Sequence, residues 1–205
     1  MCGAYSLLLA KQDIIDAFDV TSVRSEPVAK PMFRPTVHIP AISLADGVRT
    51  LDNYRWGFEW FMGDTKKNTF NSRVETVATS RMFKSAFEGQ RCLLPASGFY
   101  EWKTVEADGK TTKQKILFTI SDDSPFAFAG IWRSQKVDKI ETSTLCASML
   151  TTVPSAIMEG IHDRMPVILH KYDYELWLDP SVKGKDLLSL LLPYPAEKMK
   201  FAIAS

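Results

Sequence analysis

The chain is poor in cysteine, with Cys2, Cys92 and Cys146 the only three among 205 residues. They are odd in number, far apart, and lack a Cys-x-x-Cys pair or a histidine at ligand spacing. Neither a disulfide framework nor a structural metal site is supported. Long apolar runs are also lacking. None approaches the ~20 residues of a membrane span, and Leu7-Leu8-Leu9-Ala10 stops at Lys11, too early for a signal peptide. The expectation is a cytoplasmic protein without metal, cofactor or membrane contact. An excess of one charge is missing too, since 25 Lys and Arg against 24 Asp and Glu leave a formal net charge of +1. The whole-molecule field will not gather a polyanion, so nucleic-acid binding must come from a local cluster of Arg and Lys. No internal repeat or low-complexity tract breaks the chain.

What is present fits one domain over residues 1–205. A chain this long buries roughly 70% of its extended surface on folding, which is core enough without a disulfide or metal. The spacing of Ile14, Ile15 and Phe18 predicts a helix over Lys11–Phe18. Glu26–Pro40 holds Pro27, Pro31, Pro35 and Pro40 and reads as extended or irregular. Met82, Phe83 and Phe87, followed by Gly89, predict a second helix over Thr76–Phe87. Aromatic and branched residues predict strands at Cys92–Leu94, Phe99–Lys103, Lys115–Ile120, Phe126–Trp132 and Thr144–Leu150, with Asp108-Gly109 and Ser121–Pro125 as turns. Short helices follow at Ser155–Glu159, Tyr172–Leu178 and Lys185–Leu192. Strands in succession with helices at the periphery give an α+β class. The expected architecture is a single domain with a largely antiparallel, barrel-like β-sheet core.

Cys2 is the most informative position. Removal of Met1 would leave a cysteine whose α-amine (pKa about 7.7–8.0) and thiol (about 8.5) lie on adjacent carbons, each partly nucleophilic near neutral pH. Such a 1,2-aminothiol condenses with an aldehyde to an imine, which the thiol closes to a five-membered thiazolidine. The alternative is an inert core cysteine. Gly3 favours the functional reading, because it lets backbone approach a ligand closely.

Three further clusters carry candidate chemistry. In Phe70–Thr76, Asn71 can hydrogen-bond a sugar or carbonyl and Arg73 can fork onto a phosphate, or else Asn71 caps or turns the chain and Arg73 pairs with a surface carboxylate. In Leu94–Trp102, Glu101 alternates with Tyr100 and Trp102, and desolvation would raise its pKa toward an acid/base value, unless it is a surface glutamate on the wet face of the sheet. In Ile161–Val167, His162 stands beside Asp163 and Arg164, a pairing that offers a proton shuttle and an anion contact, the alternative being a structural histidine. His38 and His170 lack such company and read as structural.

Together these blocks are specific. Met1-Cys2-Gly3, Asn71–Thr76, Gly98–Trp102, Phe126–Trp132 and Ile161–Val167 stand in the order seen in the SOS response-associated peptidase (SRAP) family, which the chain resembles from residue 1 to about Pro180. These are abasic-site processing proteins. The resemblance implies loss of Met1 and a covalent thiazolidine between Cys2 and the ring-opened sugar of an abasic site in single-stranded DNA. It makes Cys2 the nucleophile, and Asn71 the group that orients the sugar or terminal amine. Glu101 becomes the acid/base and His162 a polarising or proton-shuttling group. Arg73, Arg81 and Arg164 become candidates for backbone phosphates. Trp60 and Phe61 match an aromatic pair that supports bases beside the lesion, and the family name implies an autocatalytic peptidase step. Four departures stand out. Ala4 replaces a usual basic residue, and Phe33-Arg34-Pro35-Thr36 occupies the place of another motif, with Arg34 as a substitute charge. Ser97 replaces a common Asp, and the sequence ends at Ser205 where the family continues through a further strand.

Two other readings compete. One is a cysteine peptidase or amidohydrolase in which the terminal amine is the base for its own thiol. The other is a non-catalytic single-strand binder using Arg and Trp.

Overall fold

The computed structural model describes residues 2–107, 109–137 and 142–204. Five strands hydrogen-bond in the order Thr144–Thr152, Phe126–Gln135, Arg91–Ala96, His38–Ala45 and Val48–Trp56. The last returns to the first in parallel, with Cys146 opposite Arg55 and Ala147 opposite Trp56, which closes a barrel. Asn71–Arg73 adds a further parallel pairing along Thr144–Thr152. A second, antiparallel sheet runs Lys30–Phe33, Tyr5–Leu7, Gly98–Ala107, Lys110–Ile120 and Met199–Ile203. The single-domain expectation is consistent with this continuous core, and the α+β class with a barrel-like, largely antiparallel body is the observed one.

The core lies between barrel and sheet. Tyr5 reaches from the sheet to Phe33 (ring centroids 5.0 Å), Trp56 (5.3 Å) and Phe128 (5.6 Å), and Phe99 meets Phe128 at 6.2 Å. Burying each such side chain contributes about 1.5–3 kcal/mol. Helices pack at the periphery. Lys11–Phe18 buries Ile14 and Phe18, and Tyr174–Leu178 inserts Trp177, whose Nε1 donates to the Cys92 carbonyl at 2.9 Å.

The predicted strands in the middle are all present and extend beyond the expected bounds. Asp108 lies outside the described residues. One expectation needs correction. Thr76–Phe87 is two short helices, Val74–Val77 and Lys84–Gly89. Between them the Ser80 hydroxyl accepts the Met82 N–H at 3.3 Å and its carbonyl accepts the Lys84 N–H at 2.9 Å, so Ser80 ends one turn and starts the next. The proline-rich stretch is extended or irregular as expected, holding the strand Lys30–Phe33 and the start of His38–Ala45, which contains Pro40. Near the end of the sequence Met199–Ile203 pairs along Ile116–Ile120.

Candidate active site

Cys2 lies just ahead of the short Tyr5–Leu7 strand. Tyr5 pairs with Phe99 and the Tyr100 N–H donates to the Ala4 carbonyl at 2.9 Å, which draws residues 2–4 along the Gly98–Ala107 strand. Side chains alternate on that strand, so Glu101 faces inward with Phe99, away from Tyr100 and Trp102. Glu101 is 3% exposed and its Oε1 is buried with no hydrogen-bond partner. Burial favours the neutral acid and raises its pKa to about 7. The general acid/base value anticipated for this residue therefore has a physical cause in its surroundings.

The thiol departs from expectation. Cys2 is fully buried, its Sγ donates toward the Ala4 carbonyl at 3.7 Å, and its pKa lies far above the ordinary range. Burial is the larger cause and the negative charge of Glu101 adds to it. A buried thiol beside a carboxylate stays protonated, so the amine is the better first nucleophile of the pair.

Asn71 is aimed by its predecessor. The Phe70 carbonyl accepts from the Met149 N–H and the Trp56 indole N–H, both at 3.0 Å, which sets the next residue at the barrel rim. From there Asn71 Nδ2 donates to the Cys2 carbonyl at 2.8 Å, while its Oδ1 is buried and unpartnered. Two orphaned acceptors, Asn71 Oδ1 and Glu101 Oε1, thus flank one residue. Such groups each cost about 1–3 kcal/mol and are retained where a ligand or water satisfies them.

His162 comes from a loop, its N–H bonded to the Met158 carbonyl at 3.2 Å. Its Nε2 faces Glu101 Oε2 at 4.0 Å, and its Nδ1 lies 3.0 Å from the Arg164 N–H and 2.9 Å from Asp163 Oδ1. Burial lowers its pKa and holds the ring neutral. Four residues from four separate segments therefore meet at the seam between barrel and sheet.

The remaining candidates lie around this centre in different states. Gly3 is half-buried beside Cys2, and Arg73 and Arg81 are exposed. Arg34 is exposed with its guanidinium over Trp102, 5.5 Å from the ring centroid. Arg164 is nearly buried and its fork is engaged by Glu75, at 2.6 and 3.0 Å. Trp60 and Phe61 belong to a separate hairpin, Phe58–Met62 with Thr65–Thr69. There Trp60 Nε1 donates to Thr69 Oγ1 at 2.8 Å and Phe61 is 58% exposed. Ala4 is fully buried. Among the described residues no group of three or more His, Cys, Asp and Glu is arranged to hold a metal ion. Glu75 is the residue that sequence reasoning passed over. It stands inside the Asn71–Thr76 block, but nothing local signals a partner 89 positions away.

Known proteins resemble this chain along its whole length. The family model described as SOS response associated peptidase (SRAP) matches residues 1–205, beyond the stretch that the motifs alone cover. The chain is 35% identical to the abasic site processing protein YoaM of Bacillus subtilis, over 98% of this chain and 89% of that protein. It is 34% identical to YobE of the same organism, also named an abasic site processing protein, over 98% and 92%. A crystal structure of a Bacteroides thetaiotaomicron protein superposes with a TM-score of 0.85 over 100% of this chain and 92% of the other. At 22% identity that likeness speaks to the fold.

Proposed function

The chain belongs to the SOS response associated peptidase family, and from that premise we propose that it processes abasic sites in single-stranded DNA by covalent capture at Cys2. Loss of Met1 frees the Cys2 amine. That amine attacks the C1′ aldehyde of the ring-opened sugar, and the carbinolamine loses water to give an imine. The thiol sulfur then adds to the imine carbon, its proton ends on the nitrogen, and a thiazolidine closes. One water is released, with no oxidant or reductant involved.

Each of the four residues has a task in this sequence. With a pKa of about 7, Glu101 is available in both forms at neutral pH. As the acid it protonates the departing hydroxyl, and as the carboxylate it relieves the thiol of its proton. Asn71 holds the Cys2 carbonyl, which fixes the direction of the adjacent amine, and its unpaired Oδ1 is available to that amine or to a sugar hydroxyl. Neutral His162 polarises the sugar hydroxyl or passes a proton. Gly3 leaves room for the strand, and the exposed Arg34, Arg73 and Arg81 take phosphates. The hairpin bearing Trp60 and Phe61 supports bases, at about 1–3 kcal/mol per stacked base. The buried thiol favours this order of events over the amidohydrolase alternative, which needs a thiolate as first attacker.

The observation that carries the reading is the meeting of a buried Cys2 with a carboxyl poised at neutral pH and with an amide clamped on its own carbonyl. It is tested with a single strand containing one abasic site. The expected product is an adduct that survives denaturing electrophoresis and is absent with Cys2→Ala. An undiminished adduct from Cys2→Ala would refute the mechanism.

A further inference from the structure

Behind His162 lies an ion pair that the proposed chemistry does not use. We propose that Glu75 and Arg164 form a positioning element that fixes His162 in the tautomer carrying its proton on Nε2, toward Glu101. Arg164 Nη1 and Nη2 donate to the two Glu75 carboxylate oxygens at 2.6 and 3.0 Å, and Nη2 also donates to the Thr151 carbonyl at 2.5 Å. Three segments therefore meet at one guanidinium. They are the short helix after Asn71, the barrel strand Thr144–Thr152 and the loop of His162. A bidentate fork restricts both partners in direction as well as distance.

The consequence is read at the backbone. Anchoring the Arg164 side chain holds its main chain in place, and the Arg164 N–H donates to His162 Nδ1 at 3.0 Å. A donor there requires a lone pair on Nδ1, because a proton on that nitrogen would set two N–H groups against each other. Asp163 Oδ1, 2.9 Å from the same nitrogen, favours the opposite tautomer. The two partners are unequal. The Asp163 side chain is 88% exposed and can turn into water at little cost, whereas the Arg164 side chain is 11% exposed and bound on several sides. The held donor wins, and the proton goes to the nitrogen that faces Glu101 Oε2 at 4.0 Å. His162 is then a donor toward the reacting centre, so Glu75 acts through Arg164 and His162 and touches no substrate itself.

The functional part of this inference rests on the abasic-site reading, but its structural part is measured without DNA. Nitrogen-15 spectra of imidazole-labelled full-length protein, with Met1 removal verified by mass, assign the tautomer directly. The Nε2–H form is expected for the parent. Glu75→Gln, which keeps the side-chain length and removes the charge, should give a mixture of tautomers. Its crosslinking rate at saturating abasic strand should fall by about 10- to 100-fold through misplacement of a reacting group. Its half-saturating DNA concentration should stay within about twofold of the parent, and Glu75→Asp should recover part of the rate. An Nδ1–H tautomer in the parent would overturn the proposal even if every variant failed to fold. So would a parent-like spectrum in Glu75→Gln, or tighter binding of intact single strands by that variant, which would mark the fork as a phosphate site released from Glu75. Absence of any covalent adduct in the parent would instead defeat the abasic-site reading and leave the tautomer result standing.

Discussion

Cys2 and Cys92 are both fully buried free thiols, and burial pushes both far above the ordinary thiol range. Their surroundings differ in kind. Cys92 lies in a barrel strand with Gly130 close to its sulfur, and burial is the one cause of its shift. Cys2 lies at the seam, where a carboxylate, an amide and an imidazole converge and where two acceptor atoms lack partners. Burial by itself makes a thiol inert. A site requires polar groups that the fold desolvates and leaves unsatisfied, so that a ligand can complete them.

The largest expected effect separates the two cysteines. Cys2→Ala should abolish the adduct with abasic single strands and, as a buried side chain is shortened, lower stability by about 1 kcal/mol. Cys92→Ala should keep the adduct within about twofold and lower stability by about 1 kcal/mol as a small cavity opens. Denaturing gels and thermal melts on the same preparations check both. Equal crosslinking by the two variants would erase the distinction.

Next comes a substitution in the barrel's packing. A Cβ on Gly130 would lie 2.8 Å from Cys92 Sγ and 2.9 Å from Leu94 Cγ. Gly130→Ala should therefore cost about 1–3 kcal/mol in urea unfolding, with the crosslinking rate of the folded fraction preserved. A slow but fully stable variant would show that the barrel interior and the seam are not separable.

Glu101→Gln sharpens the contrast from the other side, because the seam should trade stability for chemistry. The folded-state pKa of about 7 lies above the unfolded value. Between these values the folded protein keeps a proton that the unfolded chain has lost, so stability falls as pH rises toward 7 and stays low above it. Glutamine has no such ionisation. The variant should match the parent near pH 4, exceed it by up to about 3 kcal/mol near pH 8, and crosslink slowly throughout. A stability difference independent of pH would remove Glu101 from its assigned role.

Smaller still is the effect expected of the hairpin. Phe61→Ala should weaken binding of single strands by about tenfold, as one stacked base is lost, without slowing capture at saturating DNA.

The two regions were unequally legible in the sequence. Barrel strands such as Phe126–Gln135 and Thr144–Thr152 announce themselves because aromatic and branched residues crowd a short run. The His38–Ala45 and Val48–Trp56 pair does not, since the prolines ahead of it suggest irregular chain and Pro40 falls inside the strand. A signal was nevertheless there. Asp46-Gly47 is a two-residue hairpin turn with φ of +52° and +75°, the geometry such dipeptides favour. The barrel's closure left no local trace, because Arg55 and Trp56 meet residues some ninety positions later in sequence. The four site residues could be named one at a time, but their convergence depends on register and burial. The raised thiol pKa and the pairing of Glu75 with Arg164 arise only once distant segments are packed together.

In the proposed capture one residue contributes both its nitrogen and its sulfur to the sugar. The most direct test is tandem mass spectrometry of the crosslinked protein after nuclease and protease digestion, with thiols and amines labelled beforehand. A deoxyribose remnant is expected on an N-terminal peptide beginning at Cys2, with amine and thiol of that residue both refractory to label. A remnant on a lysine, or on a peptide that still begins with Met1, would contradict it.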